Sequence, residues 1–131
     1  MAEALREANG GRGVDVVLEM TGGEVFDGSL SALAPHGRLV TYGAASGRPG
    51  SPVDPRRLMS IPATVTGFWL ARLAARPHAV QGALEELLSL TATGVLAPVV
   101  GGRYPLDDAG RAHADILSRA TTGKLVLDVA P

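Results

Sequence analysis

Cysteine is absent from this 131-residue chain, which excludes a disulfide framework, a thiol nucleophile and a thiolate metal site. Aromatic residues make up only 4%, too few for a surface that stacks nucleic-acid bases. No apolar run approaches the roughly 20 residues that cross a bilayer. The start, Met1-Ala2-Glu3-Ala4-Leu5-Arg6-Glu7, is a charged helical segment unlike a signal peptide, so a cytoplasmic location is expected. The charges nearly cancel, 12 basic against 13 acidic for a net of −1, which leaves no broad field to draw nucleic acid or a membrane surface. The three histidines, His36, His78 and His113, lack metal-ligand spacing, and no G-x-S-x-G elbow occurs. Neither a metal site nor a catalytic side chain is expected. No G-x-G-x-x-G is present either, which removes the usual cradle for a pyrophosphate.

What remains is a globular composition, 46% hydrophobic and 19% charged, of one-domain length. Residues 2–9 are helix-prone and stop at Asn9-Gly10-Gly11. Residues 14–19 (VDVVLE) are β-branched and apolar apart from Asp15 and Glu19, the pattern of a strand buried on both faces. A helix is expected over 23–34, with Val25, Phe26, Leu30 and Leu33 on one face and Pro35 and Gly37 ending it. A second strand follows at 38–43, then a Pro/Gly/Ser-rich loop at 44–53. Asp54-Pro55 reads as an N-cap with proline at the first helical position of a short helix to Ser60. Residues 63–70 read as a third strand broken by Gly67.

Pro77 opens a helix striped by Val80, Leu84, Leu87 and Leu88 and ended by Gly94. Residues 97–104 are extended around Gly101-Gly102, which suggests a bulge or bend. A further helix follows Pro105, with Asp107 as candidate cap and an apolar face of Ala109, Ala112, Ile116, Leu117 and Ala120, then a strand at 124–129. Strands alternating with helices predict an α/β fold with a parallel sheet, here only three strands wide. The domain is read as 1–131, with sheet and helices in 2–96 and a strand-helix-strand tail in 97–131. The first strand lies at an edge although its residues suit burial, which predicts that the chain acquires a neighbour.

Loops after parallel strands are where such folds bind ligands. Thr21-Gly22-Gly23 follows the first strand and opens a helix, so its backbone N–H groups can meet an anion or an amide. The same glycines also suit a tight turn. Gly43-Ala44-Ala45 follows the second strand, where small residues let a flat ligand approach or simply form a flexible loop. Glu19 sits at a strand end, placed to bond a sugar hydroxyl or to cap the next turn. Phe68 and Trp69, with Leu70, form an apolar cluster suited to a subunit interface. Lys124, the only lysine, stands at the start of the last strand, where a solvated charge is ordinary.

Taken in order, these segments resemble the C-terminal part of the medium-chain dehydrogenase/reductase superfamily, in its quinone oxidoreductase or zinc-binding dehydrogenase branch. The stretches that carry the likeness include Gly13 to Glu19, Gly22 to Phe26, Ser29 to Val40, Gly43 to Gly47, Val65 to Phe68, Tyr104 to Ala109 and Thr122 to Leu127. The resemblance implies a Rossmann-like sheet holding the last three of six strands, with 97–131 contributing strands of the catalytic-domain type. It implies an NADP- or NAD-dependent reductase of quinones or activated alkenes. It places Thr21, Gly22 and Gly23 beside the cofactor ribose and nicotinamide, Gly43, Ala44 and Ala45 on the nicotinamide side, Phe68 and Trp69 near the carboxamide and the dimer seam, and Lys124 close to the cofactor cleft.

Without the glycine fingerprint, three lost charge-assisted hydrogen bonds would cost about 5–8 kcal/mol. That moves a micromolar ligand to about 10 mM or weaker. The chain alone is therefore expected to bind no cofactor and no zinc and to be inactive, as a fragment or remnant whose missing N-terminal half is one possible partner. A homodimer through 63–70 or through the sheet edge is expected. A non-catalytic association module and a small-molecule-binding module stay open as alternatives.

Overall fold

A computed structural model describes residues 1–129, and its chain forms two compact units that meet in sequence at Arg76 and Pro77. In the first unit, α1 (Ala2–Ala8), β1 (Val14–Glu19), α2 (Gly23–Ala32), β2 (Leu33–Thr41), α3 (Pro55–Ser60), β3 (Thr64–Gly67) and α4 (Leu70–Ala74) follow one another. The three strands form a parallel sheet in the order β1-β2-β3, as the alternation of strand and helix predicts. In the second unit, α5 (Pro77–Ala92), β4 (Val100–Pro105), α6 (Ala109–Ser118) and β5 (Lys124–Asp128) build a separate two-stranded parallel sheet, β4-β5.

Strand register places one row of side chains under α2. Val17, Leu39 and Val65 are successive partners across the sheet, and Phe26, Leu30 and Leu33 pack on this face. Leu39 is fully buried, at 0% exposure. The opposite row behaves otherwise. Val16 and Leu18 are 56% and 68% exposed, so β1 is covered on one face only, against the two-sided burial that its composition suggests. Its place at the sheet edge is as expected.

Several boundaries differ from the sequence reading. Helix α2 stops at Ala32, and β2 begins at Leu33. Val14 pairs with Leu33 but Val16 pairs with Arg38, so Pro35-His36-Gly37 is a bulge inside the strand and not the end of a helix. His36 takes a left-handed backbone (φ 63) there, and its N–H donates to the Pro62 carbonyl at 2.8 Å. Strand β2 ends at Thr41 instead of residue 43. Strand β3 covers only Thr64–Gly67. Phe68 donates one more ladder bond, N–H to Thr41 O at 2.8 Å, after which Trp69 turns the chain into α4, a helix that the extended reading of 63–70 did not anticipate.

Asp54 caps α3 as expected, its Oδ1 accepting from Arg56 N–H at 2.9 Å with Pro55 at the first helical position. Asp107 makes no side-chain capping bond. It lies within a single 3-10 turn, Leu106–Asp108, that leads into α6. The expected bulge at Gly101 is present: Val100 pairs with Lys124 and Gly102 with Leu125. A Cβ on Gly101 would overlap the Thr122 carbonyl oxygen. On α6 only Ala112 is buried; Leu117 is 81% exposed, and Ala120 falls beyond the helix end at Ser118. The α5 stripe is likewise open, with Leu84, Leu87 and Leu88 all more than half exposed.

In the second unit Tyr104 is buried, its hydroxyl donating to Asp115 Oδ2 at 2.8 Å with the Arg111 guanidinium 5.2 Å from its ring centre. The bond to Asp115, reinforced by burial and by the negative charge of Asp115, raises the phenol above the ordinary tyrosine value, with Arg111 opposing.

Two measurements test this architecture. Leu39→Ala should destabilise the chain by about 2–5 kcal/mol through the cavity it leaves, read by chemical denaturation. A spectrophotometric titration in a Tyr42→Phe background should place the Tyr104 midpoint above that of free tyrosine, and Asp115→Ala should lower it. Because the folded-state value is raised, the stability contributed by this bond is complete below the unfolded tyrosine pKa and is lost as pH rises through the folded one.

Candidate functional site

Register alone sets where a site can form in the first unit. Glu19 pairs with Thr41 and Thr41 with Gly67, so all three parallel strands end at one level. At that level an open pocket of about 240 Å³ lies between the loops that follow β1 and β2. Glu19, Gly22 and Thr41 line it from the strand ends and first turn, Gly43, Ala44 and Arg48 to Ser51 from the second loop, and Phe26 from α2.

Glu19 is the one buried acid of the chain's described residues, 2% exposed. Its Oε1 accepts from the backbone N–H of Thr21 at 2.6 Å and of Gly22 at 2.8 Å. The first turn after β1 is therefore tied to the side chain that precedes it, and two N–H groups open to an anion in the sequence reading are already engaged. Glu19 Oε2 is buried and has no hydrogen-bond partner, an uncommon state for a buried polar atom.

Gly22 caps α2 with φ 79 and ψ −168, a backbone region that only glycine enters readily. A Cβ there would also lie 2.6 Å from the Arg48 carbonyl oxygen. Gly43 is small for a different reason: a Cβ would lie 2.7 Å from the Met20 carbonyl oxygen. The two loops thus touch backbone to backbone. Ala45 N–H donates to Met20 O and Ser46 N–H to Thr21 O, both at 2.9 Å. Asp27 of α2 anchors the far end of the second loop, accepting from Ser51 N–H at 2.8 Å and Ser51 Oγ at 2.9 Å. A stretch rich in Pro, Gly and Ser is in this way held in place by the Asp27 carboxylate and by short backbone bonds.

Of the residues singled out from sequence, Gly22, Gly43 and Ala44 line the pocket, with Thr21 and Gly23 beside them in the same turn. Ala45 is exposed and engaged through its N–H. Phe68 and Trp69 lie past the end of β3, 44% and 60% exposed, and line no part of this pocket. Lys124 begins β5 in the second unit, exposed, its N–H donating to Val99 O at 2.8 Å. The sequence reading missed Thr41, Arg48 to Ser51 and Phe26 as lining residues. The only signal for them was Asp27 on the polar side of α2, whose loop partner lies 24 residues away. Among the described residues no group of three or more His, Asp or Glu comes together to hold a metal.

A family model described as zinc-binding dehydrogenase matches residues 1–127. The chain is 33% identical over 128 residues to a quinone oxidoreductase of Pseudomonas aeruginosa, covering 97% of this chain and 39% of that protein. It is 33% identical over 132 residues to a 2-haloacrylate reductase of Burkholderia sp, covering 96% and 38%. Among solved structures, the quinone oxidoreductase of Thermus thermophilus, determined also as its complex with NADPH, superposes with a TM-score of 0.79 at 41% identity, over 98% of this chain and 41% of that one. The chain thus spans about two-fifths of the length of these relatives. Matched over nearly its whole length in sequence and in fold, the chain belongs to the zinc-binding dehydrogenase family.

Proposed function

We propose that this chain forms the nicotinamide side of the cofactor cleft of an NADPH-dependent reductase of quinones or activated alkenes, and that the 131 residues alone do not turn over. The observation that carries this reading is the pocket at the level where three parallel strands end, walled by Glu19, Gly22, Gly43 and Ala44. Ligands of open α/β sheets sit at that end of the strands. Relatives of this chain include quinone oxidoreductases and a 2-haloacrylate reductase, one of them solved with NADPH.

The bound cofactor would supply a hydride. This chain's residues supply position: Gly22 and Gly43 bring two backbones close, and Glu19 braces the turn between β1 and α2. No side chain in the pocket is placed as a general acid, since Glu19 is bonded to backbone and the other walls are small or apolar apart from Thr41, Arg48 and Ser51. Among the described residues no set of donors comes together that fits the zinc of the family's name. At about 240 Å³ the pocket is smaller than typical cofactor clefts of roughly 300–1,000 Å³, and the sequence has no G-x-G-x-x-G for the pyrophosphate. Both support the expectation of inactivity alone.

We also propose that the chain self-associates through the β1 edge or the segment after β3. The apolar side chains of Val16 and Leu18, and of Phe68, Trp69 and Leu70, are all more than 40% exposed there. Sedimentation analysis should find a dimer, and Trp69→Ser with Phe68→Ser should reduce it to a monomer if the β3 segment is the seam.

The functional reading is tested by grafting. With this chain in place of the matching segment of the Pseudomonas aeruginosa quinone oxidoreductase, the soluble chimera should oxidise NADPH with quinones. The isolated chain should stay below about 1 s⁻¹, near the low end of ordinary turnover. A folded chimera without activity, or an isolated chain that exceeds that rate, overturns the reading.

A further inference from the structure

We infer that Asn9-Gly10 is a site of spontaneous covalent modification: the Asn9 carboxamide is lost as ammonia once the end of α1 opens, and the product undoes the clip that leads the chain into β1. The inference is independent of the functional reading above. It concerns the end of β1 away from the pocket.

Asn9 is the only asparagine of the chain, and a glycine follows it. In such a pair the backbone nitrogen of Gly10 can attack Asn9 Cγ, because glycine has no Cβ to hinder the approach. A new C–N bond forms and the Cγ–Nδ2 bond breaks. Ammonia leaves with the proton that the Gly10 nitrogen gives up. Water then opens the five-membered imide at either carbonyl. One opening yields aspartate, the other isoaspartate, whose main chain runs through the side-chain carbons.

The folded chain opposes the first step in three ways. Asn9 is the C-cap of α1, with φ −101 and ψ 26. At that ψ the Gly10 nitrogen stands nearly opposite Cβ across the Cα–C bond, whereas ring closure needs the two almost eclipsed. The Gly10 N–H is engaged, donating to Glu7 O at 3.1 Å, and the Gly11 N–H donates to Arg6 O at 2.8 Å. The turn therefore cannot rotate without giving up the last bonds of α1. Asn9 Nδ2 donates to Gly13 O at 2.8 Å, which ties the carboxamide to the residue just before β1.

That last bond also shows what the modification changes. Gly13 lies so close to β2 that a Cβ on it would be 2.7 Å from Ala34 Cα. Its carbonyl is held there by the Asn9 amide. A carboxylate at position 9 accepts hydrogen bonds and donates none. It would face the Gly13 carbonyl in place of a donor, at a helix C-terminus that disfavours negative charge. Isoaspartate would in addition lengthen the main chain between α1 and β1. Neither product reverts to asparagine, so the reaction keeps a record of each opening that led to it.

The test holds the 131-residue chain in mildly alkaline buffer, folded in one arm and unfolded by urea in the other, and follows the tryptic peptide Glu7 to Arg12 by mass. In urea the peptide should gain about one mass unit and contain isoaspartate. The folded chain should react at least about ten-fold more slowly, as a reaction that needs local opening does. Asn9→Asp should melt below the parent, and below Asn9→Ala, which removes the donor without adding a charge. Equal rates in the folded and unfolded arms overturn the inference, as does a peptide left unmodified in urea, and this comparison needs no variant. An Asn9→Asp chain that melts at or above the parent overturns it as well.

Discussion

Parallel pairing of β2 on both of its sides brings Glu19, Thr41 and Gly67 to one level, and the first unit is organised around that alignment. It makes one row of side chains, Val17, Leu39 and Val65, a floor for α2. It also makes the loops after β1 and β2 neighbours, so that each can be braced against the other. Losing the register by one residue would move this apolar row to the opposite face and separate the loops at the same time. Core and pocket therefore rest on the same hydrogen-bond ladder.

The turn beside the pocket depends on one carboxyl group. One oxygen of Glu19 holds the turn of Thr21 and Gly22, and the other is buried without a hydrogen-bond partner. This arrangement changes what the turn can do. A glycine turn at a helix start is ordinarily a place for anions, but here a carboxyl oxygen of the chain already accepts from the N–H groups of Thr21 and Gly22. The second loop is held by comparable means, through Asp27 and Ser51 and through the close backbone approach at Gly22 and Gly43. Few of these contacts involve large apolar side chains, which fits a composition rich in glycine and poor in aromatics.

The outer face of β1 and the stripe on α5 show the opposite balance, with apolar side chains exposed well beyond what their own unit covers. The three ion pairs of the described residues, Arg56–Asp54, Arg103–Asp128 and Arg111–Asp108, are all largely solvated and add little to stability. Apolar burial around Leu39 and Phe26 in the first unit, and around Tyr104 in the second, is what remains to hold each unit.

Local signals were enough for much of this. The β-branched run at 14–19, the cap and proline at Asp54-Pro55, the glycine bulge at Gly101 and the order of strands and helices could all be read from neighbouring residues, because each rests on backbone preferences within a few positions. The family could be read from the order of its motifs. What the sequence could not determine were features that arise between distant residues. Proline and glycine at 35–37 signal a break, but only pairing with β1 and the bond from His36 to Pro62 make that break a bulge within β2. Phe68-Trp69-Leu70 suits a strand by propensity, but its partner strand ends at Thr41 and the chain turns into a helix instead. Glu19 offered two roles on paper, and the fold shows the capping one, because the turn folds back onto Oε1.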